Sequence, residues 1–129
     1  MLTVSGLSSG YQGAQVLHDV SFSVEAGEIV CLLGRNGAGK STCLKTIMGL
    51  IRASSGQVSC NGVEVSRLPA NEVPRHGIGY IPQGRRLFAE LTVAENLEIG
   101  LMVTGKDHAF REQVLEMFPR LRGRLNQRA

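Results

Sequence analysis

Nine consecutive residues, Gly34 to Thr42, read Gly-Arg-Asn-Gly-Ala-Gly-Lys-Ser-Thr. They fit the P-loop pattern: glycine, any four, glycine, lysine, then serine or threonine. The chemistry this pattern suits is the gripping of a polyphosphate. Several negative charges in a small volume call for backbone N–H groups turned inward around them. That needs close approach and unusual backbone angles, which glycine permits at Gly34, Gly37 and Gly39. Asn36 and Ala38 stand between these glycines and complete the binding loop. Lys40 brings a point charge to the β- and γ-phosphates. The Ser41 hydroxyl can ligate Mg²⁺, and Thr42 can reach the α-phosphate. A helix that opens at the lysine adds free N–H groups and the positive end of its dipole.

Such a loop must be carried by a strand before it and a helix after it. Residues 28–33, Glu-Ile-Val-Cys-Leu-Leu, form an apolar run between Gly27 and Gly34. That run suits a strand buried on both faces, with Cys31 as a small core residue. From Lys40 the period changes. Leu44, Ile47, Met48 and Ile51 recur at 3, 4 and 7, which predicts a helix ending near Arg52.

The flanking segments supply the rest of the frame. Residues 2–7 read as a short strand, 8–13 as a turn-rich loop carrying Tyr11, and 16–24 as a strand with Val20, Phe22 and Val24 on one face. Residues 56–65 read as a hairpin turning at Asn61–Gly62. Between Pro69 and Pro74 there is room for one helical turn, with Asn71 as its cap. Residues 77–82 read as a short strand and 83–91 as loop. Thr92 and Glu95 make a capping box, so a helix should start at Val93 and bury Val93, Leu97 and Leu101. Asp107 is available to cap a further helix lined by Phe110, Val114, Met117 and Phe118, which Pro119 should end. The order of elements predicts an α/β nucleotide-binding core entered through a β-rich segment.

Bulk properties narrow the class. The chain has 129 residues, 43 % apolar and 19 % charged, which suits a globular domain. The net charge is +3, and six arginines sit at Arg85, Arg86, Arg120, Arg122, Arg124 and Arg128. Aromatics are few and are not interleaved with these, so a nucleic-acid surface is poorly supported. Three cysteines, Cys31, Cys43 and Cys60, have no metal-site spacing and give no disulfide framework, which fits a reducing compartment. No window is long and apolar enough for a membrane span. The Asn-Lys-x-Asp of a GTPase is lacking. So is a Gly-x-Gly-x-x-Gly after the strand.

The stretch Gly34–Thr42 resembles the Walker A motif of ABC transporter ATPases. Residues 77–97, Gly-Ile-Gly-Tyr-Ile-Pro-Gln-Gly-Arg-Arg-Leu-Phe-Ala-Glu-Leu-Thr-Val-Ala-Glu-Asn-Leu, resemble that family's Q-loop and the start of its helical subdomain. The form of this stretch, and of residues 118–129, is similar to the ATPase subunits of bacterial branched-chain amino-acid importers. Urea and short-chain amide importers are nearly as close. The resemblance covers essentially the whole chain. It implies a P-loop NTPase of the ABC type with an antiparallel β subdomain. Residues 1–83 would hold the nucleotide-binding and β-subdomain portion, and 84–129 the Q-loop and start of the helical subdomain. Tyr11 matches the aromatic that stacks on adenine. Gln83 matches the Q-loop glutamine, whose amide oxygen can ligate Mg²⁺. The implied cofactors are ATP and Mg²⁺. The implied partners are membrane permease subunits and a second ATPase subunit. The implied location is peripheral, on the cytoplasmic face of the inner membrane. Residues 85–88 would then offer docking surface to a permease helix.

Other parts of the family pattern are missing. Walker B is an apolar run ending in Asp, usually followed by Glu. Of the two aspartates, Asp19 and Asp107, neither ends an apolar run. The signature motif needs a Gly-Gly pair, and the sequence has none. His18, His76 and His108 lack the context of the switch histidine. The sequence stops about where the signature is expected. Because phosphoryl transfer depends on positioning metal and water, the chain alone should bind nucleotide without hydrolysing it. A non-catalytic nucleotide-binding fragment is the alternative reading.

Overall fold

The computed structural model describes residues 1–84, 86–105 and 108–129. They divide into two compact units, Met1–Tyr80 and Ile81–Ala129.

The first unit is built on a four-stranded antiparallel sheet. Its strands are β1 (Leu2–Tyr11), β2 (Ala14–Val24), β3 (Ala53–Cys60) and β4 (Val63–Glu64), in the order β2-β1-β3-β4. One helix, α1 (Lys40–Ile47), belongs to this unit. Leu2 pairs with Val24 on one side and Cys60 on the other, which fixes the register at one end. The turns between strands are tight. Gln12–Gly13 joins β1 to β2, and Asn61–Gly62 joins β3 to β4, all four residues with positive φ. Two residues with φ > 0 give the twist that antiparallel hairpins favour, so the expected Asn61–Gly62 turn is present.

The β1–β2 hairpin is longer than its sequence suggests. Residues 8–11 are strand, not loop, and Tyr11 pairs with Ala14. The alternation is disguised by bulges. Pairing slips beside Gly6 on both flanks of β1. Gly56 has φ 84°, and a Cβ there would lie 2.3 Å from the Gly6 carbonyl oxygen. Only glycine allows the two backbones to cross so closely.

The core gathers Val4, Leu7, Leu17, Val58 and Cys60 from the sheet, Cys43, Ile47 and Met48 from α1, and Val65 and Val73 from the following segment. The buried face of α1 is Thr42, Cys43, Thr46 and Ile47, not the face led by Leu44, which is 43 % exposed. The helix also stops earlier than expected. Gly49 takes φ 69°, and its N–H bonds back to the Thr46 carbonyl. A left-handed glycine just past the last turn ends a helix in this way.

Two expected strands join no ladder among the described residues. Residues 28–33 pair with nothing, and Ile29 and Leu33 are 92 % and 90 % exposed. Cys31 is exposed too, instead of filling the core. Residues 77–82 likewise lie outside the sheet, although Ile78 and Tyr80 rest against the core. A strand exists only through its neighbours, and no ladder hydrogen bond joins either segment to another among the described residues. The expected helical turn appears as a 3₁₀ turn over Val73–His76, with Pro74 as its second residue and Glu72, not Asn71, at the N-cap position.

The second unit holds α2 (Val93–Thr104), α3 (His108–Met117) and a 3₁₀ turn over Pro119–Arg124. The capping box is complete. Glu95 N–H donates to Thr92 Oγ1 at 3.2 Å, and Thr92 N–H donates to Glu95 Oε2 at 2.7 Å. Val93 and Leu97 are half-buried and Leu101 is buried. Gly105 ends α2 with φ 64°. The expected cap at Asp107 lies outside the described residues. In α3 the buried residue is Leu115, while Met117 and Phe118 are exposed, so the inward face is turned from the expected one. Arg111 crosses to α2 and donates to Glu98 at 3.1 Å. α3 ends at Met117, and Pro119 follows after Phe118, opening the 3₁₀ turn.

Candidate nucleotide-binding site

Residues 34–38 form an exposed loop that turns into α1 through the buried Gly39. Gly37 and Gly39 have φ of 82° and 91°. A Cβ at Gly37 would meet nothing within 4 Å, so the loop's bend there opens to solvent. Gly39 is the reverse case. A Cβ there would lie 2.8 Å from Leu17 Cδ2 and 3.3 Å from Val16 Cγ1. The start of α1 is thus pressed against β2.

Lys40 curls back into the loop. Its Nζ donates to the carbonyl oxygens of Gly34 at 2.7 Å and Arg35 at 2.8 Å. The ammonium is therefore held at the loop's own mouth, ahead of the helix N-terminus. Ser41 is exposed on the first turn, whereas Thr42 is buried. Asn36 and Ala38 are exposed in the loop, and Ala38 N–H bonds to the Arg35 carbonyl at 3.2 Å.

The first turns of α2 and α1 are built in opposite ways. α2 begins with a threonine and a glutamate that satisfy its first N–H groups. α1 begins with neither. It has no side-chain cap and no acidic residue in its first turn. Among the described residues, no acceptor is bonded to the N–H groups of Lys40, Ser41 or Thr42. Free N–H groups at a helix start are normally satisfied by a cap, water or a ligand, and a dipole end without acid nearby favours an anion. With Lys40 beside it, the group best matched to this donor set is a phosphate chain. Mg²⁺ fits on the same chemistry. It binds through one or two protein oxygens plus phosphate oxygens and water, and the exposed Ser41 hydroxyl is such an oxygen.

Tyr11 ends β1 and is 44 % exposed. Its partner Ala14 lies two residues before Val16, the residue that Gly39 abuts. At about 3.3 Å per residue that places the Tyr11 turn roughly 7 Å along β2 from the start of α1. Tyr11 and the loop therefore share one end of the first unit. Gln83 is exposed near the start of the second unit. Leu87 and Phe88 are exposed as well. Arg85 lies outside the described residues. The carbonyl oxygen of Arg35 was not foreseen as a partner of Lys40, because a main-chain acceptor leaves no trace in residue type. The buried Ser9–Thr46 pair that fastens α1 to β1 was missed for a related reason: hydroxyls do not register in apolar periodicity.

Comparison with known proteins decides the family. Residues 17–128 match the ABC transporter family. The chain belongs to that family. Among curated relatives of this ABC chain, one is the Pseudomonas aeruginosa protein named high-affinity branched-chain amino acid transport ATP-binding protein BraG. It is 47 % identical over 100 % of this chain and 56 % of its own length. The Archaeoglobus fulgidus protein named probable branched-chain amino acid transport ATP-binding protein LivF is 39 % identical over the same shares. The Haemophilus influenzae lipopolysaccharide export system ATP-binding protein LptB is 43 % identical over 75 % of this chain and 40 % of its own. A solved structure described as the ATP binding subunit of an ABC transporter superposes with a TM-score of 0.86. It shares 40 % identity and covers 99 % of this chain and 54 % of its own. The chain thus spans about half the length of the relatives it matches. Its architecture is part of an ABC ATPase cassette.

Proposed function

We propose that this chain is the phosphate-gripping part of an ATP-binding subunit in an ABC importer for branched-chain amino acids. One observation carries the reading. The Lys40 ammonium sits within a glycine loop at the uncapped, acid-free start of α1. In the proposed complex, Lys40 leaves the Gly34 and Arg35 carbonyls for the β- and γ-phosphates. The backbone of Gly34, Asn36, Gly37, Ala38 and Gly39 wraps the phosphate chain, and the first N–H groups of α1 close on it. Thr42 reaches the α-phosphate. Tyr11 offers its ring to adenine. Ser41 would hold Mg²⁺, which neutralises charge across the phosphates. Gln83 is assigned to the metal by resemblance alone.

The carboxylates that would orient an attacking water do not occur in these 129 residues. Hydrolysis is therefore proposed for the complete cassette and not for this chain by itself. No helix among the described residues is long and apolar enough to cross a membrane. Attachment to permease subunits at the cytoplasmic face, with a second ATPase subunit, is proposed on the family relationship. The solute rests on the names of BraG and LivF. A urea or short-chain amide importer would use the same residues and differ only in cargo.

Titration calorimetry with Mg-ATP tests the central claim. The folded chain should bind at sub-millimolar concentrations without turnover. A folded chain that ignores millimolar ATP would refute it. Coupling to permeases of that importer class is tested by a chimera in which this chain replaces the matched part of BraG. Leucine uptake should persist in cells lacking BraG, and loss of uptake by a stably expressed chimera would reject that assignment.

A further inference from the structure

A cavity of about 690 Å³ opens on the first unit, and none of residues 34–42 lines it. One wall is the chain leaving α1 and entering β3, with Ile51, Arg52 and Ser55. The other is the segment after β4, with Ser66, Arg67 and Leu68. Main-chain bonds fix both walls. Leu50 and Ile51 N–H donate to the Lys45 carbonyl at 2.9 and 3.3 Å, and Leu68 N–H donates to the Val65 carbonyl at 3.1 Å. The walls meet at Gly49, where a Cβ would lie 3.2 Å from the Leu68 carbonyl oxygen. A space of this size with built walls suits a small molecule, since ligand pockets hold roughly 300–1,000 Å³.

The lining names the class of ligand. It carries two arginines and no carboxylate. Arg67 is shared with Glu64 at 3.5 Å. Arg52 has no ion-pair partner among the described residues. With Ser54 it also lines a second cavity of about 210 Å³, bordered by Gly10, Gly13 and Gln15 of the β1–β2 hairpin. The negative end of α1 is muted here, because the carbonyls of Leu44, Lys45 and Thr46 all accept from N–H groups of residues 48–51. Ile51, Leu68 and Pro69 supply apolar surface to the larger cavity. We infer that this cavity binds a small aliphatic carboxylate, with Arg52 gripping the carboxyl group and Ile51 and Leu68 covering the aliphatic body. A bare phosphate would leave the apolar surface wet and most of the space unfilled. An amino acid would bring an ammonium group for which the lining offers no carboxylate.

The site shares no residue with the glycine loop, so its test uses no nucleotide. The folded chain is titrated with isocaproate, which is leucine without its ammonium group, and amide chemical shifts are followed. Shifts should saturate at low millimolar acid and map to residues 51–56 and 66–68. Smaller shifts should appear at residues 10–15, through Arg52 and Ser54. Leucine and inorganic phosphate should each bind at least about tenfold more weakly. Arg52→Gln should weaken isocaproate by about tenfold or more. Arg67→Gln should weaken it less, since Glu64 already engages that side chain. Both arginines are exposed, so the fold should persist, and unchanged hairpin amides in the free variants check this. Absence of saturable shifts overturns the proposal. So does a response centred on residues 34–42, or an undiminished affinity in Arg52→Gln. Equal binding of leucine or phosphate overturns the assigned ligand class. A chain that binds isocaproate here but ignores Mg-ATP leaves this site standing and removes the nucleotide reading instead.

Discussion

Ser9 of β1 and Thr46 of α1 share a hydrogen bond of 2.7 Å in the buried interior of the first unit. Its direction follows from counting hydrogens. Thr46 Oγ1 already donates to the Thr42 carbonyl at 2.8 Å, and a hydroxyl has one proton to give. Ser9 is therefore the donor. Together with the apolar packing of Cys43 and Ile47 on the sheet, this contact fastens the helix behind the glycine loop to the strand that ends at Tyr11.

Replacing the two partners should have unequal effects. Ser9→Ala removes a donor and leaves Thr46 bonded to Thr42, at a cost of about 1 kcal/mol. Thr46→Val strands the Ser9 hydroxyl in a fully buried position. That should cost about 2 kcal/mol. Urea unfolding of both variants gives the comparison, and equal losses would contradict the assigned direction.

Lys40 is bonded only to loop carbonyls in an exposed setting. Lys40→Ala should therefore leave unfolding within about 0.5 kcal/mol of the parent. Its effect on Mg-ATP should be far larger, a weakening of roughly 10- to 100-fold as a charge-assisted bond is lost. Calorimetry paired with urea unfolding separates the two. Weak binding accompanied by a large loss of stability would mean that the lysine serves the fold.

Gly56 meets the Gly6 carbonyl group at 2.3 and 2.4 Å from where a Cβ would stand, and its φ is positive. Neither contact is a side chain that can swing away. Gly56→Ala should cost at least about 3 kcal/mol, from the left-handed backbone together with the clash. Gly62→Ala is the control. It has a similar φ but nothing within 4 Å, so about 1 kcal/mol is expected. Thermal unfolding of the pair checks that crowding, and not backbone angle alone, sets the cost.

These features differ in how readable they were. The turn of the glycine loop into α1, the capping box and the Asn61–Gly62 turn rest on residue types acting within a few positions, so their geometry is local and visible in sequence. The face of α1 is not legible from apolar spacing, because threonines are buried there through hydrogen bonds while Leu44 stays in solvent. The full length of β1 is hidden in the sequence because bulges beside Gly6 break the alternation that marks a strand. Residues 28–33 show the opposite case. Their apolar run predicts a doubly buried strand, but they form none among the described residues and Ile29 and Leu33 are exposed, because a ladder depends on a second segment that no local pattern supplies.

The cap of α2 carries the molecule's clearest dependence on acidity. Glu95 accepts from the Thr92 backbone N–H and from the Thr92 hydroxyl, at 2.7 and 2.8 Å. These bonds hold its carboxyl below the ordinary carboxylate value. A carboxylate whose folded pKa is depressed stabilises above its unfolded pKa, and the gain is lost as pH falls through the folded one. The start of α2 should therefore fray on acidification below about pH 4, while the first unit's hairpin persists. Thr92→Ala should cost about 1 kcal/mol at neutral pH and flatten this acid dependence. Amide exchange at Val93–Asn96, followed from pH 6 to pH 3 in both proteins, reads the effect. An unchanged acid profile in Thr92→Ala would show that the fraying arises from some other carboxylate.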